Sequence, residues 1–331
     1  MDIESVKREF GSREHLYRQL KDEALFILEP AIGRRDIKLH SITHRIKSVE
    51  SFLGKVQRKQ SEQPFDDIQD IVGIRVICLF LSDIERIGKV IRESFRVLEE
   101  DNKVEGADVS SFGYMSFHFI AAMKSEHSGP RYDPIAQLPF EIQVRTIAMD
   151  AWANVSHYLD YKSDKDVPSE LRRDFYALSG LFYVADRHFE MFFGSRKQSQ
   201  ERISELFRSP ITSEQLEQEI NLDSLTAYLA KKFPERRPGP TESISGLIEQ
   251  LHACGYISLK VVDVTLSRGL DALIAFEKDT QFTYHRVGAA RIAMSMVDEN
   301  FLRQLVNLGR IDGDTLIKLN ATYDKYRRLV N

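Results

Sequence analysis

The segment Phe140–Thr146 constrains the fold more than any other part of this sequence, because its side chains alternate in character. Positions 140, 142 and 144 are apolar, and the positions between them carry an acid, an amide and a guanidinium: Glu141, Gln143 and Arg145. Alternation with a period of two predicts a β-strand with one buried face. The other face must meet water, a partner or a functional site. These residues alone leave a solvated edge strand and a site equally open.

A second strand is predicted at residues 71–80, a nearly continuous apolar run typical of a central strand buried on both faces. Arg75 is the exception within it, and a buried guanidinium needs an anion or a carboxylate as partner. Asp70 stands immediately before the run. If this strand neighbours the one at 140–146, Asp70 and Glu141 can share a magnesium ion. Magnesium prefers oxygen ligands and takes one or two carboxylates together with substrate phosphate.

The spacing of Asp70 and Arg75 adds a condition to this site. The two residues have opposite parity along the chain, so in a regular strand their side chains would point to opposite faces. Both reach one site only if Asp70 lies just before the regular strand or if a β-bulge intervenes.

The remaining patterns predict helices alternating with short strands. Apolar residues at helical spacing indicate helices over the following ranges: 2–30, 39–60, a segment starting near residue 82, and 146–207 with a break near 163–168. Further strands are expected at 95–98 and 115–123. The helix expected at 39–60 has a cationic face, for which a solvated surface is the simpler interpretation; it consists of Arg45, Lys47, Lys55, Arg58 and Lys59.

The chain is expected to contain two domains. Its 331 residues are long for one domain. The pattern changes after residue 207, and a Pro/Arg/Gly linker lies at 234–240 between two helical patterns. We therefore expect an α+β domain over residues 1–207 and a mixed α/β accessory region of unknown role over 208–331.

Composition is that of a soluble globular protein, with 42% hydrophobic and 29% charged residues. The net charge of −4 gives no global attraction to nucleic acid or to an acidic membrane. The N-terminal 30 residues mix acids and bases, and no apolar run approaches the length of a membrane span. The two cysteines, Cys78 and Cys254, lie far apart in the chain. A cytoplasmic protein without membrane association is expected, and a homo-oligomer is left open.

Several other residues are candidates for binding a phosphorylated ligand. The groups able to neutralise phosphate are Arg35, Arg45, Arg75, Arg145 and Lys162. Tyr114 follows a glycine in a predicted loop, where its ring can stack on a nucleobase, although by itself a core or turn tyrosine is the simpler interpretation. His118 within an apolar strand is by itself more typical of a hydrogen-bonded core histidine. His157 could be either a structural histidine or a residue that binds the ligand.

The order of these residues along the chain resembles the RelA/SpoT synthetase family of alarmone synthetases, and the small single-domain members are the most similar. The residues that carry the resemblance are Arg35, the segments 70–75, 113–118 and 141–146, Trp152, His157 and Tyr161-Lys162. The resemblance covers roughly residues 20–165. It implies a nucleotidyltransferase-like fold and transfer of pyrophosphate from ATP to the 3′-hydroxyl of GDP or GTP, which yields (p)ppGpp and AMP.

The resemblance also implies roles for individual positions. Asp70 and Glu141 match the magnesium ligands, and Glu141 would in addition help to activate the attacking hydroxyl. Arg35 and Arg75 match a pair that sandwiches the adenine of ATP. Positions matching contacts to ATP phosphates, or residues that support them, are Arg45, Arg145 and His157. On the acceptor side, Tyr114 matches the ring that stacks on guanine, and the remaining matches are Lys103, His118 and Gln143, with Lys162 as a supporting residue.

Two departures from the family pattern keep other functions open. Ile37 stands where the small synthetases often carry a lysine, and the segment before Gly113-Tyr114 is less basic than is usual. A toxin-type enzyme that pyrophosphorylates the 3′ end of tRNA therefore remains an alternative, which would need a basic surface leading to Tyr114. Its candidate members are Arg131, Lys162, Lys165, Arg172 and Arg173. A catalytically inactive nucleotide sensor is the third alternative, although a sensor would not need both carboxylates.

Overall fold

The computed structural model describes residues 2–102, 116–158, 168–209 and 211–330. The chain divides into two compact units, the first ending at Gly194 and the second beginning at Ser195. This division falls earlier than the boundary expected at residue 207, and it lies inside a long helix. In the part of the chain that is described, no helix is both long enough and apolar enough to cross a membrane.

The first unit is built on a five-stranded sheet. Its strands are β1 (Leu39–Ile46), β2 (Val72–Cys78), β3 (Arg96–Asn102), β4 (Phe117–Ala122) and β5 (Phe140–Thr146). Their order is β1-β2-β5-β4-β3; β2 and β5 run parallel, and the other neighbouring pairs are antiparallel. The predicted α+β fold with a mixed sheet is confirmed. Because β5 lies in the middle of the sheet, its polar face is not that of an edge strand.

Helices flank this sheet. They are α1 (Ile3–Gly33), α2 (Val49–Lys59), α3 (Pro64–Asp67), α4 (Leu81–Ser94), α5 (Ile147–Tyr158) and α6 (Ser169–Leu206). The apolar face of the sheet shares one core with α1 and α4, in which Leu20, Leu28, Ile74, Ile87 and Phe119 are fully buried. Burying this face against helices leaves the polar positions of the strands on the opposite face of the sheet.

The single helix expected over residues 39–60 is wrong in its first half, which forms β1. The helical prediction rested on Ile42, Ile46 and Val49, whose spacing of four and three fits a helix turn. However, β1 pairs with β2 along nearly its whole length, and Ser48 caps α2 by accepting a hydrogen bond from a backbone amide of its first turn. Pairing with a buried central strand therefore outweighs side-chain spacing in this segment.

The second unit is helical in all its described elements, so the expected mixture of helices and strands is wrong. Its helices are α7 (Ser213–Leu216), α8 (Leu222–Lys232), α9 (Thr241–Ala253), α10 (Leu259–Arg268), α11 (Leu270–Thr280), α12 (Arg286–Val297), α13 (Glu299–Asn307) and α14 (Gly313–Arg327). Among the described residues of this unit, extended pairing is limited to one isolated bridge between Glu219 and Ser258. The helix α12 is buried nearly all round. A Cβ at Gly269 would lie 2.3 Å from the carbonyl oxygen of Ala293, so glycine permits the close approach of α12 to the α10–α11 junction.

Candidate active site

The polar side chains predicted to form a site lie on one face of the sheet. Strand register aligns Thr43, Arg75, Gln143 and His118 in a row that crosses β1, β2, β5 and β4. The next row contains Arg45, Gly73 and Glu141. Residues in register on neighbouring strands project to the same side. The sheet thus gathers charged groups from four strands that are distant in sequence.

A cavity of about 120 Å³ opens on this face. Its lining includes Arg45, Arg75, Glu141 and Gln143. Four of the predicted site residues therefore share one cavity, two of them cationic and one anionic. Gly73 also lines it, and the absence of a side chain at this position leaves the space between Arg45 and Glu141 open.

Glu141 is held in place by two neighbours. Its carboxylate lies 2.9 Å from Nδ1 of His118 and accepts a hydrogen bond of 2.8 Å from Nε2 of Gln143. The other nitrogen of His118 lies 2.5 Å from Oγ of Ser116, so the imidazole is fixed from both sides. Burial and the negative charge of Asp70 raise the pKa of Glu141, but the contacts with His118 and Gln143 outweigh them and hold this pKa below its ordinary value. Glu141 is therefore ionised at neutral pH.

Asp70 lies just before β2, which begins at Val72. This position was one of the two conditions under which Asp70 and Arg75 could reach the same site. Its Oδ2 accepts hydrogen bonds from Nζ of Lys55 at 2.7 Å and from Nζ of Lys47 at 3.1 Å. Burial raises the pKa of Asp70, and the two ammonium groups outweigh that effect and hold this pKa below its ordinary value. The other oxygen, Oδ1, is buried and has no hydrogen-bond partner among the described residues.

The donor set formed by Asp70 and Glu141 fits a magnesium ion. A buried carboxylate oxygen without a partner is costly, and coordination of a cation would satisfy it. The negative charge of Asp70 raises the pKa of Glu141, so the two carboxylates interact electrostatically. Within the described ranges no group of three or more His, Cys, Asp or Glu side chains could hold a metal. Two carboxylates with open positions left for water and phosphate match magnesium rather than a closed structural site.

Arg75 has a carboxylate partner that the sequence analysis did not identify. Its Nη1 donates a hydrogen bond of 3.0 Å to Oδ1 of Asp150, in the first turn of α5. Asp150 also lies 3.5 Å from Nη1 of Arg145 and accepts a hydrogen bond of 2.9 Å from Asn154. Arg75 remains 30% exposed, whereas Arg145 is only 1% exposed. Asp150 thus orients Arg75, which lines the cavity. Arg145 is buried on the protein side of this ion pair and does not face the solvent.

The remaining predicted residues are more scattered. The guanidinium of Arg35 pairs with Glu93 of α4, away from the residues that line the cavity. His157 is exposed in the last turn of α5, seven residues after Asp150 and hence on a similar side of the helix. Lys103, Tyr114 and Lys162 lie outside the described residues.

Lys47 and Lys55 are the other residues whose role the sequence reasoning missed. A solvated surface was expected for them, but their side chains are only 12% and 28% exposed because both face Asp70. For Lys47 the error follows from the wrong helix assignment, whereas Lys55 lies in the part of the expected helix that does form, and its contact with Asp70 depends on the tertiary fold. In a helix starting at residue 39, Lys47 would have lain on the outer face, whereas in fact it directly follows β1 and its amide donates a hydrogen bond to the carbonyl of Ile71.

Fold and site together define a class of protein. A mixed sheet with Arg45, Arg75 and the ionised Glu141 on its polar face, and with Asp70 held by two lysines just before β2, is suited to metal-assisted chemistry on phosphate groups. Residues 44–166 match the family model described as "Region found in RelA / SpoT proteins". The chain therefore carries a RelA/SpoT region, and the family resemblance is confirmed for this part of it.

Two curated relatives are named GTP pyrophosphokinases, both from Bacillus subtilis strain 168. YwaC is 35% identical over 133 residues, which are 38% of this chain and 60% of that protein. YjbM is 31% identical over 135 residues, which are 40% of this chain and 61% of that protein. The chain thus spans about three fifths of the length of these relatives.

Two solved structures are also similar to part of this chain. Small alarmone synthetase 1 from Bacillus subtilis is 24% identical with a TM-score of 0.47, and the match covers 59% of this chain and 99% of that one. Small alarmone synthetase 2 from the same species is 28% identical with a TM-score of 0.46, covering 57% and 99%.

Proposed function

We propose that this protein transfers pyrophosphate from ATP to the 3′-hydroxyl of GDP or GTP, producing (p)ppGpp and AMP. The observation that carries the proposal is the pair of carboxylates Asp70 and Glu141, whose pKa values are both held below their ordinary values and which interact electrostatically, within a RelA/SpoT region whose curated relatives are named GTP pyrophosphokinases. The reaction forms a bond between the 3′-oxygen and the β-phosphorus of ATP. The bond from that phosphorus to the α–β bridging oxygen breaks, and its electron pair leaves with AMP.

The carboxylates have distinct tasks in this reaction. Asp70 and Glu141 would hold magnesium, which neutralises charge on the transferring phosphates when bound. Glu141 is ionised and oriented by His118 and Gln143, so it can accept a hydrogen bond from the attacking hydroxyl and align it. In this arrangement His118 and Gln143 act on Glu141, in addition to any contact with the acceptor.

The cations around the carboxylates would bind the phosphates of ATP. Lys47 and Lys55 both pair with Asp70, and their ammonium groups would be available to phosphate oxygens if that carboxylate held a metal ion. Arg45 and Arg75 line the cavity, where a guanidinium can pair with phosphate or stack on the adenine. Arg145 and His157 keep their proposed ATP-side roles, with Arg145 supporting from within. Arg35 would have to leave its ion pair with Glu93 to take the proposed role beside the adenine. Tyr114 and Lys103 remain the proposed acceptor contacts.

The proposal is tested by incubating the purified protein with magnesium and labelled ATP, together with GDP, GTP or deacylated tRNA in separate reactions. We expect AMP and a guanosine nucleotide carrying a 3′-pyrophosphate. Glu141→Gln keeps the shape of the side chain but removes its charge, and should abolish transfer while leaving the circular dichroism spectrum unchanged. Label appearing on tRNA alone, or on no acceptor at all, would refute the proposal.

The two alternatives receive no support from the described residues or from the relatives. Among the proposed members of a tRNA-binding surface, Arg131 is committed to an ion pair with the buried Glu23. A sensor without catalytic activity would not require two carboxylates held in their ionised form beside one another.

A further inference from the structure

The second unit contains a partly buried arginine without an acidic partner. Arg291, on α12, donates a hydrogen bond of 3.0 Å from Nε to Oε1 of Gln250 on α9, and a longer one of 3.5 Å from Nη2 to the carbonyl of Ser243. No carboxylate of the described residues forms an ion pair with it, whereas Lys232 and Arg236, partly buried in the same unit, each pair with one. A guanidinium withdrawn from water without a counter-charge is unfavourable.

A second arginine lies beside the first. Arg310, in the turn between α13 and α14, rests its guanidinium over Gly246 of α9, where a Cβ would lie 2.3 Å from Nη1 of the arginine. Gly246 falls on the same face of α9 as Ser243 and Gln250, at a helical spacing of three and four residues. Both guanidinium groups therefore meet one face of this helix. Burial lowers the pKa of Arg291, and the positive charge of Arg310 lowers it further.

The two charges are compensated only in part. Oε2 of Glu249 accepts a hydrogen bond of 2.6 Å from Nη2 of Arg310, which accounts for one of them. The charge of Arg291 remains. Glycine is less favourable than alanine within a helix, and the absence of a side chain at Gly246 is what admits Arg310 to this position. The fold thus brings two like charges together at a place where it also gives up helix stability.

We propose that Arg291 and Arg310 bind the phosphate group of a small phosphorylated ligand at the face of α9 around Gly246. Nη1 of Arg291 has no hydrogen-bond partner in the described part of the chain, yet it is not closed off from solvent, so a ligand oxygen can reach it. A phosphate between the two guanidinium groups would supply the missing negative charge. Guanidinium groups suit this role because their paired N–H donors match two oxygens of one phosphate.

The surroundings favour a small ligand over a nucleic acid strand. A strand requires a track of cations that follows its backbone. Here the neighbouring Glu249 is 63% exposed and would repel an extended polyanion. All residues of this site belong to the second unit, whereas those of the candidate active site belong to the first. The inference therefore does not depend on the proposed function.

Hydrogen–deuterium exchange of the full-length protein tests the site, with pyrophosphate, inorganic phosphate and GDP added in separate experiments. We expect slower exchange in peptides from α9 and α12. This localised signal is needed because the same probes can enter the candidate active site. Equal affinities for phosphate and pyrophosphate would identify a single phosphoryl group as the feature that is bound, and a higher affinity for GDP would identify a nucleotide. Protection of α9 and α12 by none of the three probes, or by an RNA oligonucleotide alone, would overturn the proposal.

Three variants of the full-length protein test the geometry, with affinity measured by titrating the protection of α9 and α12. Arg291→Gln should weaken binding by about 10- to 100-fold, the size expected for loss of a charged hydrogen bond. Gly246→Ala keeps every charge but displaces the guanidinium of Arg310, and should weaken binding by about tenfold. Arg328→Gln is the control, because it removes one positive charge at an exposed position beyond the far end of α14, about 22 Å along that helix from its start.

The control should stay within a factor of about two of the wild type. A loss in Arg328→Gln as large as that in Arg291→Gln would mean that only the overall charge matters, and the proposal would fail. An unchanged affinity in a folded Gly246→Ala variant would also overturn it, and this result does not depend on whether Arg291→Gln folds.

Discussion

The side chain of Asp150 links two arginines of the site to the helix α5. Asp150 accepts hydrogen bonds from Arg75 and Asn154 and lies beside the buried Arg145. In Asp150→Asn the shape is kept and the charge is lost, so Arg75 is oriented less firmly. We expect the KM for ATP to rise about tenfold with a smaller change in kcat, since roughly 1.4 kcal/mol of binding free energy corresponds to a factor of ten.

Asp150→Ala should in addition destabilise the protein, because removing one partner of a buried ion pair typically costs about 3–5 kcal/mol. Urea unfolding of both variants measures their stability, so that a loss of stability can be distinguished from a loss of orientation of Arg75. Glu126→Ala, at an exposed position outside the site, is the control and should alter neither quantity. If Asp150→Asn were as unstable as Asp150→Ala while its KM for ATP remained normal, Asp150 would be purely structural.

Lys55 gives a second prediction at this scale. Lys55→Met keeps the aliphatic length but leaves Oδ2 of Asp70 with Lys47 alone. Loss of one ammonium group next to the transferring phosphates should reduce kcat/KM for ATP by about 100-fold, the size expected for a charged contact in a site that excludes water. Lys59→Met, at an exposed position in the last turn of the same helix, should stay within a factor of about two, as surface substitutions usually do. Equal losses in the two variants would mean that only the overall positive charge of α2 matters.

At the scale of elements, sequence patterns predicted the structure well where one period was unambiguous. The alternation in β5 and the apolar run of β2 have no helical alternative, and both strands were correctly expected. The apolar residues of β1 fit both the period of a strand and the period of a helix. Its conformation is decided by its pairing with β2, and this pairing cannot be read from the local sequence. The contact between Asp150 and Arg75 was missed for a related reason: it arises only because α5 folds back over the polar face of the sheet.

The attachment of α6 to the sheet contains a buried acid that predicts a pH dependence. Oγ1 of Thr146, at the end of β5, donates a hydrogen bond of 2.5 Å to Asp186, whose side chain is 3% exposed. Burial raises the pKa of Asp186 to about 6. The folded state therefore binds this proton more tightly than the unfolded state does. Its contribution to stability is fully present below the ordinary value of 3.8 and is lost as pH rises through about 6.

Asp186→Asn should therefore be more stable than the wild type at neutral pH, by about 2–3 kcal/mol, since a shift of two pKa units corresponds to roughly that free energy. The difference should shrink in mildly acidic solution, where the wild type is itself protonated. Urea unfolding near pH 5 and near pH 8 measures it, with Asp22→Asn on the exposed side of α1 as the control. A gain in stability that did not change with pH would show that Asp186 is not the titrating group.

At the scale of the whole molecule, the two units have separate cores. The boundary between them determines where the chain can be truncated without exposing a core. Ile203 and Phe207 belong to the core of the second unit. A chain that ends at residue 207, as the sequence pattern suggested, would carry these apolar side chains without the core that buries them. A chain that ends at Gly194 avoids this.

We therefore expect residues 1–194 to remain folded, with a single cooperative unfolding transition and measurable pyrophosphate transfer. Residues 1–207 should be the more aggregation-prone of the two, which static light scattering during heating can measure. Loss of native-like circular dichroism in the 1–194 chain would mean that the two units depend on each other for folding.

The lysines that converge on Asp70 have a consequence for how ligands enter the site. Lys47, Lys55 and Asp70 together carry one net positive charge, which repels a bare divalent ion. In the proposed reaction a nucleotide would reverse this, because its phosphates would attract the two ammonium groups and release the carboxylate for coordination. Ion and nucleotide would then be linked, and by thermodynamic reciprocity each would increase the affinity of the other by the same factor. A protein that worked in this way would respond to the ion–nucleotide complex as one ligand and would be insensitive to free magnesium while nucleotide is scarce.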